Sequence, residues 1–282
     1  MTVSLDQITA YASGLDHPEG VTVDANGQLY AGGEAGQVYR VGSDRSVEQI
    51  ADTGGFLLGL CTDAAGLLYI CDVGRRELLR IDPSDGTVDV YSAGTAERPM
   101  VNPNWPAFDA AGYLYVTDSG TWKGDDGCVF RIAPGGGTEV WSTASSNFPN
   151  GAALTEDGSA LLVLESCTPA LVRLPIGADG RAGAREVIAE LPGTVPDGVT
   201  LCADGSAYVF CYRPDRILHV EVDGTVTTVA NDPQGTVLSA PTNGVWIDGL
   251  RTLVTGNLGR WHLAALTPGR TGIALEYPKV PR

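Results

Sequence analysis

The chain carries a six-fold internal repeat, and this repeat restricts the fold more than any other feature. The repeats open with similar segments, such as Pro18-Glu19-Gly20, Pro149-Asn150-Gly151 and Pro196-Asp197-Gly198. A regular period of 40 to 50 residues indicates a supersecondary unit that recurs around a ring or along an array. One aligned position, hereafter the column, has spacings of 39, 46, 46, 47 and 46 residues and reads Glu19, Leu58, Asn104, Asn150, Asp197 and Asn243.

Each repeat predicts four short β-strands. The first two strands are separated by turn sequences such as Asp24-Ala25-Asn26-Gly27 and Asp109-Ala110-Ala111-Gly112, in which Asp caps the bend and Gly adopts a positive φ angle at little cost. No long apolar pattern with a helical period is present. Four strands per unit are typical of a β-propeller blade. We therefore predict an all-β, six-bladed propeller with blades that start near residues 17, 55, 102, 148, 195 and 241.

The two chain ends are expected to meet in blade six. Residues 7–12 resemble a fourth strand but precede the first blade, so we assign them as the outer strand of blade six, which closes the ring. No Pro/Gly/Ser linker separates the repeats, and we expect one domain over residues 1–282. Residues 268–282 are then a tail, with 273–277 as a candidate edge strand.

Charge and cysteine content restrict the partners. The chain has 34 acidic and 18 basic residues, a formal charge of −16, which disfavours nucleic acid and anionic membranes as partners. No export signal or membrane-length apolar run is apparent, so we expect a cytoplasmic protein, a monomer or weak homo-oligomer, that binds a small-molecule substrate. The six cysteines lie in strand patterns and are expected to be buried and reduced. Cys61 with Cys71, and Cys202 with Cys211, are the pairs that could meet across a hairpin.

The column predicts a metal site. The first strand of each propeller blade lines the central channel, so Glu19, Asn104, Asn150 and Asp197 should converge on the axis. Carboxylate and amide oxygens suit Ca²⁺ best, with Mn²⁺, Mg²⁺ or Zn²⁺ as alternatives. The competing interpretation is that these side chains only cap the bend into each strand. For Asn243 both roles, ligand and pocket residue, stay open.

Loops that follow the second strands should form a pocket wall beside the column. They supply Trp122, within an insertion at residues 120–127 that is either a lid or a solvated loop, together with Tyr212 and Arg213. His262 borders the same region, and His17 stands two residues before Glu19. No Gly-x-Ser-x-Gly motif is present, which disfavours covalent serine catalysis.

The column and the Pro-Asn-Gly and Pro-Asp-Gly openings resemble the senescence marker protein/regucalcin/gluconolactonase family over essentially the whole chain. The resemblance implies that Glu19, Asn150 and Asp197 bind a metal and that Asn104 lies beside it, as a ligand or substrate contact. Sugar lactonases of this family typically have an arginine two positions before the blade-three asparagine. Here that position is Asn102. The resemblance therefore implies lactone hydrolysis more firmly than it implies a sugar acid lactone as the substrate.

These features together predict a metal-dependent hydrolase, most plausibly a lactonase that acts on a small lactone or activated ester. The ion would polarise the carbonyl, with Asp197 as general base or a metal-bound water as nucleophile. Phosphotriester hydrolysis or a non-hydrolytic biosynthetic step at the same site are alternatives. A non-enzymatic scaffold with a structural metal is a third, and a channel capped by aromatic residues such as Trp105 and Trp246 would favour it.

Overall fold

The computed structural model describes residues 2–281, which form 24 β-strands and one short 3₁₀ turn at Leu5–Gln7. The strands in chain order are β1 (Thr9–Ser13), β2 (Val21–Val23), β3 (Leu29–Gly32), β4 (Gln37–Val41), β5 (Val47–Asp52), β6 (Leu57–Thr62), β7 (Leu68–Asp72), β8 (Glu77–Asp82), β9 (Thr87–Ser92), β10 (Pro103–Phe108), β11 (Leu114–Asp118), β12 (Cys128–Ile132), β13 (Thr138–Ser142), β14 (Pro149–Leu154), β15 (Ala160–Glu165), β16 (Ala170–Pro175), β17 (Glu186–Glu190), β18 (Val195–Leu201), β19 (Ala207–Arg213), β20 (Arg216–Val220), β21 (Val226–Asn231), β22 (Pro241–Ile247), β23 (Thr252–Asn257) and β24 (His262–Leu266).

The strands form six antiparallel sheets of four strands each, which confirms the predicted propeller. Blades one to five are the consecutive sets β2–β5, β6–β9, β10–β13, β14–β17 and β18–β21. Blade six consists of β22, β23 and β24 with β1 at its outer edge, where Thr9 lies opposite Ala265. The N-terminal strand therefore closes the ring, as the repeat count predicted.

The hydrophobic core lies mainly between neighbouring blades. Tyr115 and Val129 of blade three, for example, pack against Ala152 and Leu161 of blade four. The first strands of successive blades run side by side around the centre, with β10 between β6 and β14 and with β22 between β18 and β2. This arrangement brings equivalent positions of the six first strands to the same level of the channel.

The C-terminal segment crosses one end of the channel. Gly272 forms a single β-bridge with Cys202, and at the other side the carbonyl oxygen of Pro278 accepts a hydrogen bond from the amide of Ala64 at 2.9 Å. Residues 273–277 between these anchors cover a cavity of about 360 Å³ beneath the first strands. They extend no sheet edge, unlike the predicted edge strand, because the segment is anchored at its two ends to different blades: the amide of Ile273 donates to the carbonyl oxygen of Leu201 in blade five, and Pro278 accepts from Ala64 in blade two.

All six cysteines are free, and four of them are buried, which agrees with the predicted reduced state. Burial raises the pKa of the Cys128 thiol to about 12, so this sulfur stays protonated and packs as an apolar group. Among residues 2–281, no helix is long and apolar enough to cross a membrane.

Candidate metal centre and pocket

The structure places the column at the mouth of the channel opposite the C-terminal segment. All six members are buried, and the five oxygen-bearing ones expose 7% of their surface or less. Leu58, the single apolar member, is 9% exposed and packs against the core between blades two and three. The column is therefore a buried ring of polar side chains enclosed by apolar strands.

β-bulges position five of the six column residues. In blade three, Pro103 lies opposite Asp118 and Trp105 lies opposite Thr117, so Asn104 is an extra residue without a partner in the register. The same kind of irregularity spans Leu58, Asn150, Asp197 and Asn243. A bulge bends its strand and re-aims the side chain at that position. The column is evident in the repeat pattern of the sequence, whereas no residue pattern predicts the bulges.

Glycine follows five of the column residues because the next blade packs tightly against that position. A Cβ atom on Gly151 would lie 2.5 Å from the carbonyl oxygen of Asp197, and one on Gly20 would lie 2.2 Å from that of Leu58. In blade three the following residue is Trp105, and its ring lies over Gly59, where a Cβ would be 2.2 Å from Cε3. Because glycine has no side chain, the first strands can approach one another closely at this level.

The column oxygens lack hydrogen-bond partners. Eight buried side-chain polar atoms in the described residues have no partner, and five of them belong to the column: Oε2 of Glu19, Oδ1 of Asn104, Oδ1 of Asn150, Oδ1 of Asp197 and Oδ1 of Asn243. A buried unpartnered oxygen costs about 1–3 kcal/mol. Their concentration in one ring indicates that a positively charged group belongs there.

Two of the amides are held so that their oxygens stay available. The Nδ2 group of Asn150 donates to Oγ of Ser166 at 3.1 Å, and this hydroxyl donates to the carbonyl oxygen of Pro196 at 2.6 Å. The Nδ2 group of Asn243 donates to Oε1 of Glu19 at 3.3 Å. In each case the nitrogen is engaged and Oδ1 is not.

The two carboxylates are electrostatically unfavourable without a cation. Burial, and secondly the negative charge of Asp197, raises the pKa of Glu19 well above its usual range. Burial likewise raises the pKa of Asp197, although a hydrogen bond with Asn150 opposes the shift. A divalent cation would neutralise both charges and would satisfy the orphaned oxygens.

The donor set therefore fits a hard cation such as Ca²⁺. Two carboxylates and three amide oxygens, with no sulfur or imidazole, are the ligands that Ca²⁺ prefers. No group of three or more His, Cys, Asp or Glu that could hold a metal occurs within residues 2–281, because most of the column oxygens here come from asparagine.

Polar residues at the ends of three second strands hold the segments that lead into the column. Asp72 accepts a hydrogen bond from the amide of Phe56 at 3.0 Å, and Asp118 accepts from the amide of Asn102 at 3.1 Å. In blade six, Oδ1 of Asn257 accepts from the amide of Ser239 at 3.2 Å. Asp72, Asp118 and Asn257 are fully buried, so they support the backbone and do not line the pocket.

Two predicted substrate contacts of blade three are Asn102, which lies beside the 120–127 loop, and Trp122, which lies within it. Asn102 is half-buried, and its Nδ2 group lies 3.5 Å from the carbonyl oxygen of Gly120. Trp122 is 48% exposed and packs edge-on against Phe148, with ring centroids 4.9 Å apart. The loop is internally bonded, since Asp126 accepts hydrogen bonds from both the amide and the hydroxyl of Thr121.

The remaining predicted contacts are partly engaged with the protein. Arg213 forms an ion pair with Asp215 at 2.8 Å and stacks on the ring of Tyr212. Nε2 of His262 lies 2.9 Å from the carbonyl oxygen of Val237. His17 adopts φ = 41°, and its ring packs edge-on against Trp261, which is 59% exposed. The position of Trp261 beside His17 depends on tertiary structure.

The chain matches a known protein family over most of its length. The profile of the SMP-30/Gluconolactonase/LRE-like region matches residues 17–245, a span that contains all six column residues. The chain belongs to this family. The resemblance inferred from the column is thus confirmed. A comparison with curated protein sequences found no match.

Several solved structures share the fold. A gluconolactonase from Xanthomonas campestris is 20% identical, with a TM-score of 0.78 over 92% of this chain and 89% of that one. A calcium-binding regucalcin from Agrobacterium tumefaciens is 16% identical, with a TM-score of 0.78 over 96% of both chains. A virginiamycin B lyase from Staphylococcus aureus is 14% identical, with a TM-score of 0.66 over 92% of this chain and 98% of that one. Proteins named for different reactions thus share this architecture.

Proposed function

We propose that this protein is a metal-dependent hydrolase of lactones or related activated esters. The observation that carries the proposal is the ring of five partnerless buried oxygens, two of them carboxylate oxygens, at one mouth of the channel. Membership in the SMP-30/gluconolactonase family and the likeness to a gluconolactonase and a calcium-binding regucalcin support it. The metal is proposed to be Ca²⁺, held by Glu19, Asn104, Asn150 and Asp197.

Such an ion acts as a Lewis acid that polarises the substrate carbonyl and stabilises negative charge on its oxygen. In the proposed reaction Asp197 removes a proton from a water molecule as the water oxygen attacks the carbonyl carbon. The ring C–O bond then breaks, and the proton passes from Asp197 to the departing alkoxide. Asn150 stays oriented throughout, because its amide nitrogen donates to the Ser166 hydroxyl, which is fixed by its own hydrogen bond to the Pro196 carbonyl.

The geometry favours this enzyme over a non-enzymatic scaffold. A scaffold would be expected to cap the column with packed aromatic residues. Trp246 instead lies beneath the column, where its Nε1 group donates to the carbonyl oxygen of Leu201 and its ring packs on Gly272. Trp105 lines the cavity at the far end. The column mouth is bordered by the exposed Trp122 and Trp261 instead.

Lactone turnover by metal-stripped protein before and after metal addition tests the proposal. The panel should contain alkyl, aromatic and sugar lactones, with Ca²⁺, Mn²⁺ or Zn²⁺ added back, and proton release should report turnover. Mass spectrometry separates hydrolysis, which adds 18 Da, from an elimination, which leaves the mass unchanged. Metal-restored hydrolysis that Asp197→Asn abolishes is expected. The absence of turnover with every lactone and ion would overturn the proposal.

A further inference from the structure

The residues two positions before the column form a second ring above it, hereafter the rim. Because each stands at or just before the start of a first strand, the six rim residues surround the mouth of the site. They are His17, Phe56, Asn102, Phe148, Val195 and Pro241. Four of the six are apolar, and none is an arginine or lysine. The rim is therefore mainly apolar, with Pro241 buried and Phe56 packed against the core between blades two and three.

Two exposed tryptophans extend this apolar surface. Trp122 packs against the rim residue Phe148 at 4.9 Å between ring centroids, and Trp261 packs against the rim residue His17 at 5.3 Å. They are the only tryptophans among the large exposed hydrophobic residues of the described chain. Exposed aromatic side chains at a site mouth offer flat apolar area with little conformational freedom to lose on binding.

Three arginines around this face are engaged with the protein. Arg75 pairs with Glu77 at 2.9 Å, and Arg213 pairs with Asp215 at 2.8 Å. Arg98 donates to the backbone carbonyl of Asp126 at the base of the 120–127 loop. Beside His17 the charges are acidic, since Asp16 and Glu34 lie 2.8 and 3.4 Å from its Nδ1 atom. Arg76 and Lys123 stay exposed on this face, but neither belongs to the rim, and the rim itself offers no guanidinium to a sugar's hydroxyl groups or to an anionic substituent.

We infer that the site selects lactones with an aromatic or alkyl substituent over polyhydroxylated sugar lactones. This inference rests on the proposed function and adds the substrate class. The column would hold the reacting carbonyl, and Trp122, Phe148 and Trp261 would cover the apolar part of the substrate. Replacing one of these tryptophans by alanine removes apolar contact area. This weakens binding of a lactone that carries an apolar substituent but leaves the reacting atoms in place.

The kinetic test compares dihydrocoumarin, unsubstituted δ-valerolactone and glucono-δ-lactone with the calcium-loaded protein. We expect kcat/KM for dihydrocoumarin to exceed that for glucono-δ-lactone, corrected for uncatalysed hydrolysis, by tenfold or more. Trp122→Ala and Trp261→Ala should each lower kcat/KM for dihydrocoumarin about five- to tenfold, mainly through KM. Both should lower kcat/KM for δ-valerolactone by a smaller factor than for dihydrocoumarin. Val187→Ala, which removes apolar surface from an exposed outer strand, is the matched control and should change neither.

A binding test separates failure of this inference from failure of the proposed function. The probes are 2-tetralone, a carbocyclic analogue of dihydrocoumarin that cannot be hydrolysed, and 1,5-anhydroglucitol, a sugar analogue that keeps the ring oxygen and hydroxyl groups of glucono-δ-lactone but has no carbonyl. Calorimetric titration should detect binding of 2-tetralone but not of 1,5-anhydroglucitol. Trp122→Ala should lower the affinity for 2-tetralone. Preference for the sugar lactone or its analogue, or aromatic binding that both tryptophan variants leave intact, would overturn the inference. Selective binding of 2-tetralone without turnover of any lactone would sustain it and overturn the hydrolase.

Discussion

The amide nitrogen of Asn243 donates a hydrogen bond to Oε1 of Glu19 at 3.3 Å, which links blade six to blade one across the closure of the ring. The other carboxylate oxygen of Glu19, Oε2, has no partner. Thr242 supports the same residue, since its hydroxyl donates to the Glu19 backbone carbonyl at 2.7 Å. Blade six therefore fixes Glu19 with one oxygen engaged and the other left for a cation.

Asn243→Ala should weaken Ca²⁺ binding about tenfold. The variant removes a hydrogen bond to a charged group, which contributes about 1.5–3 kcal/mol, and each 1.4 kcal/mol corresponds to a factor of ten. Calorimetric titration of metal-stripped protein measures the affinity. Leu58→Val, at the column position that has no oxygen, is the matched control and should leave the affinity unchanged. Equal affinities for Asn243→Ala and the wild type would show that Glu19 does not depend on Asn243.

Asp197→Asn should have opposite effects on stability with and without metal. In the metal-stripped protein the change removes one of two facing buried carboxylates, and relief of this repulsion should raise the free energy of unfolding by about 1–3 kcal/mol. The variant should also lose most of the increase in melting temperature that Ca²⁺ gives the wild type. Thermal unfolding of both proteins, with chelator and with Ca²⁺, measures the two effects. A variant less stable than the wild type in chelator would argue against the repulsion.

Much of the fold was predictable because short segments of the sequence show the repeat directly. The Asp-x-x-Gly turns at residues 24–27, 63–66 and 109–112 specify hairpins, and the six-fold repeat specifies a ring. The closure by β1 followed from counting strands. The path of residues 273–277 was not predictable, because it depends on contacts such as the hydrogen bond from the Tyr277 hydroxyl to the Val23 carbonyl at 3.0 Å, which joins residues far apart in the chain.

Within the site, the residue types of the column were predictable from the sequence. The bulges, hydrogen bonds and packing that hold these residues in place were not. Alignment of the repeats identified the column from Glu19 to Asn243, since a polar residue in an otherwise apolar pattern is conspicuous. The bulges and the bond from Asn150 to Ser166 arise when strands pair within a blade, and the packing of Trp261 on His17 arises when blades six and one come together. Side-chain roles that depend on neighbours in space leave little trace in local sequence.

Gly198→Ala should disturb the column by steric conflict. A Cβ atom there would lie 2.0 Å from Oδ1 of Asn243 and 2.4 Å from the carbonyl oxygen of Thr242. Overpacking of this kind costs about 1–3 kcal/mol, and Ca²⁺ affinity should fall because Asn243 must move. Gly137→Ala is the control, since its Cβ would meet nothing closer than 4.0 Å. Chemical denaturation and calcium titration give the two readouts, and unchanged values for Gly198→Ala would contradict the tight packing.

The buried His219 should make the fold less stable in mild acid. Its side chain is 5% exposed, its Nε2 atom lies 2.8 Å from Oγ of Ser206, and its ring packs on Tyr208. Burial lowers the pKa of His219, although Glu221 and Asp204 oppose the shift and Arg270 adds to it. The unfolded chain therefore binds a proton more readily than the folded protein does. The stability that this histidine contributes is complete above pH 6.5 and is lost as the pH falls through the folded-state pKa.

His219→Gln should remove this part of the acid sensitivity. Between pH 6.5 and the folded-state pKa, the wild type should lose up to about 1.4 kcal/mol more per pH unit than the variant. Urea unfolding of both proteins at pH 7.5 and 5.5 measures the difference, and the carboxylates common to both cancel in the comparison. At pH 7.5 the variant should be the less stable protein, because the contact with Ser206 is weakened. A stability gap of the same size at both pH values would mean that protonation of His219 does not contribute to acid sensitivity.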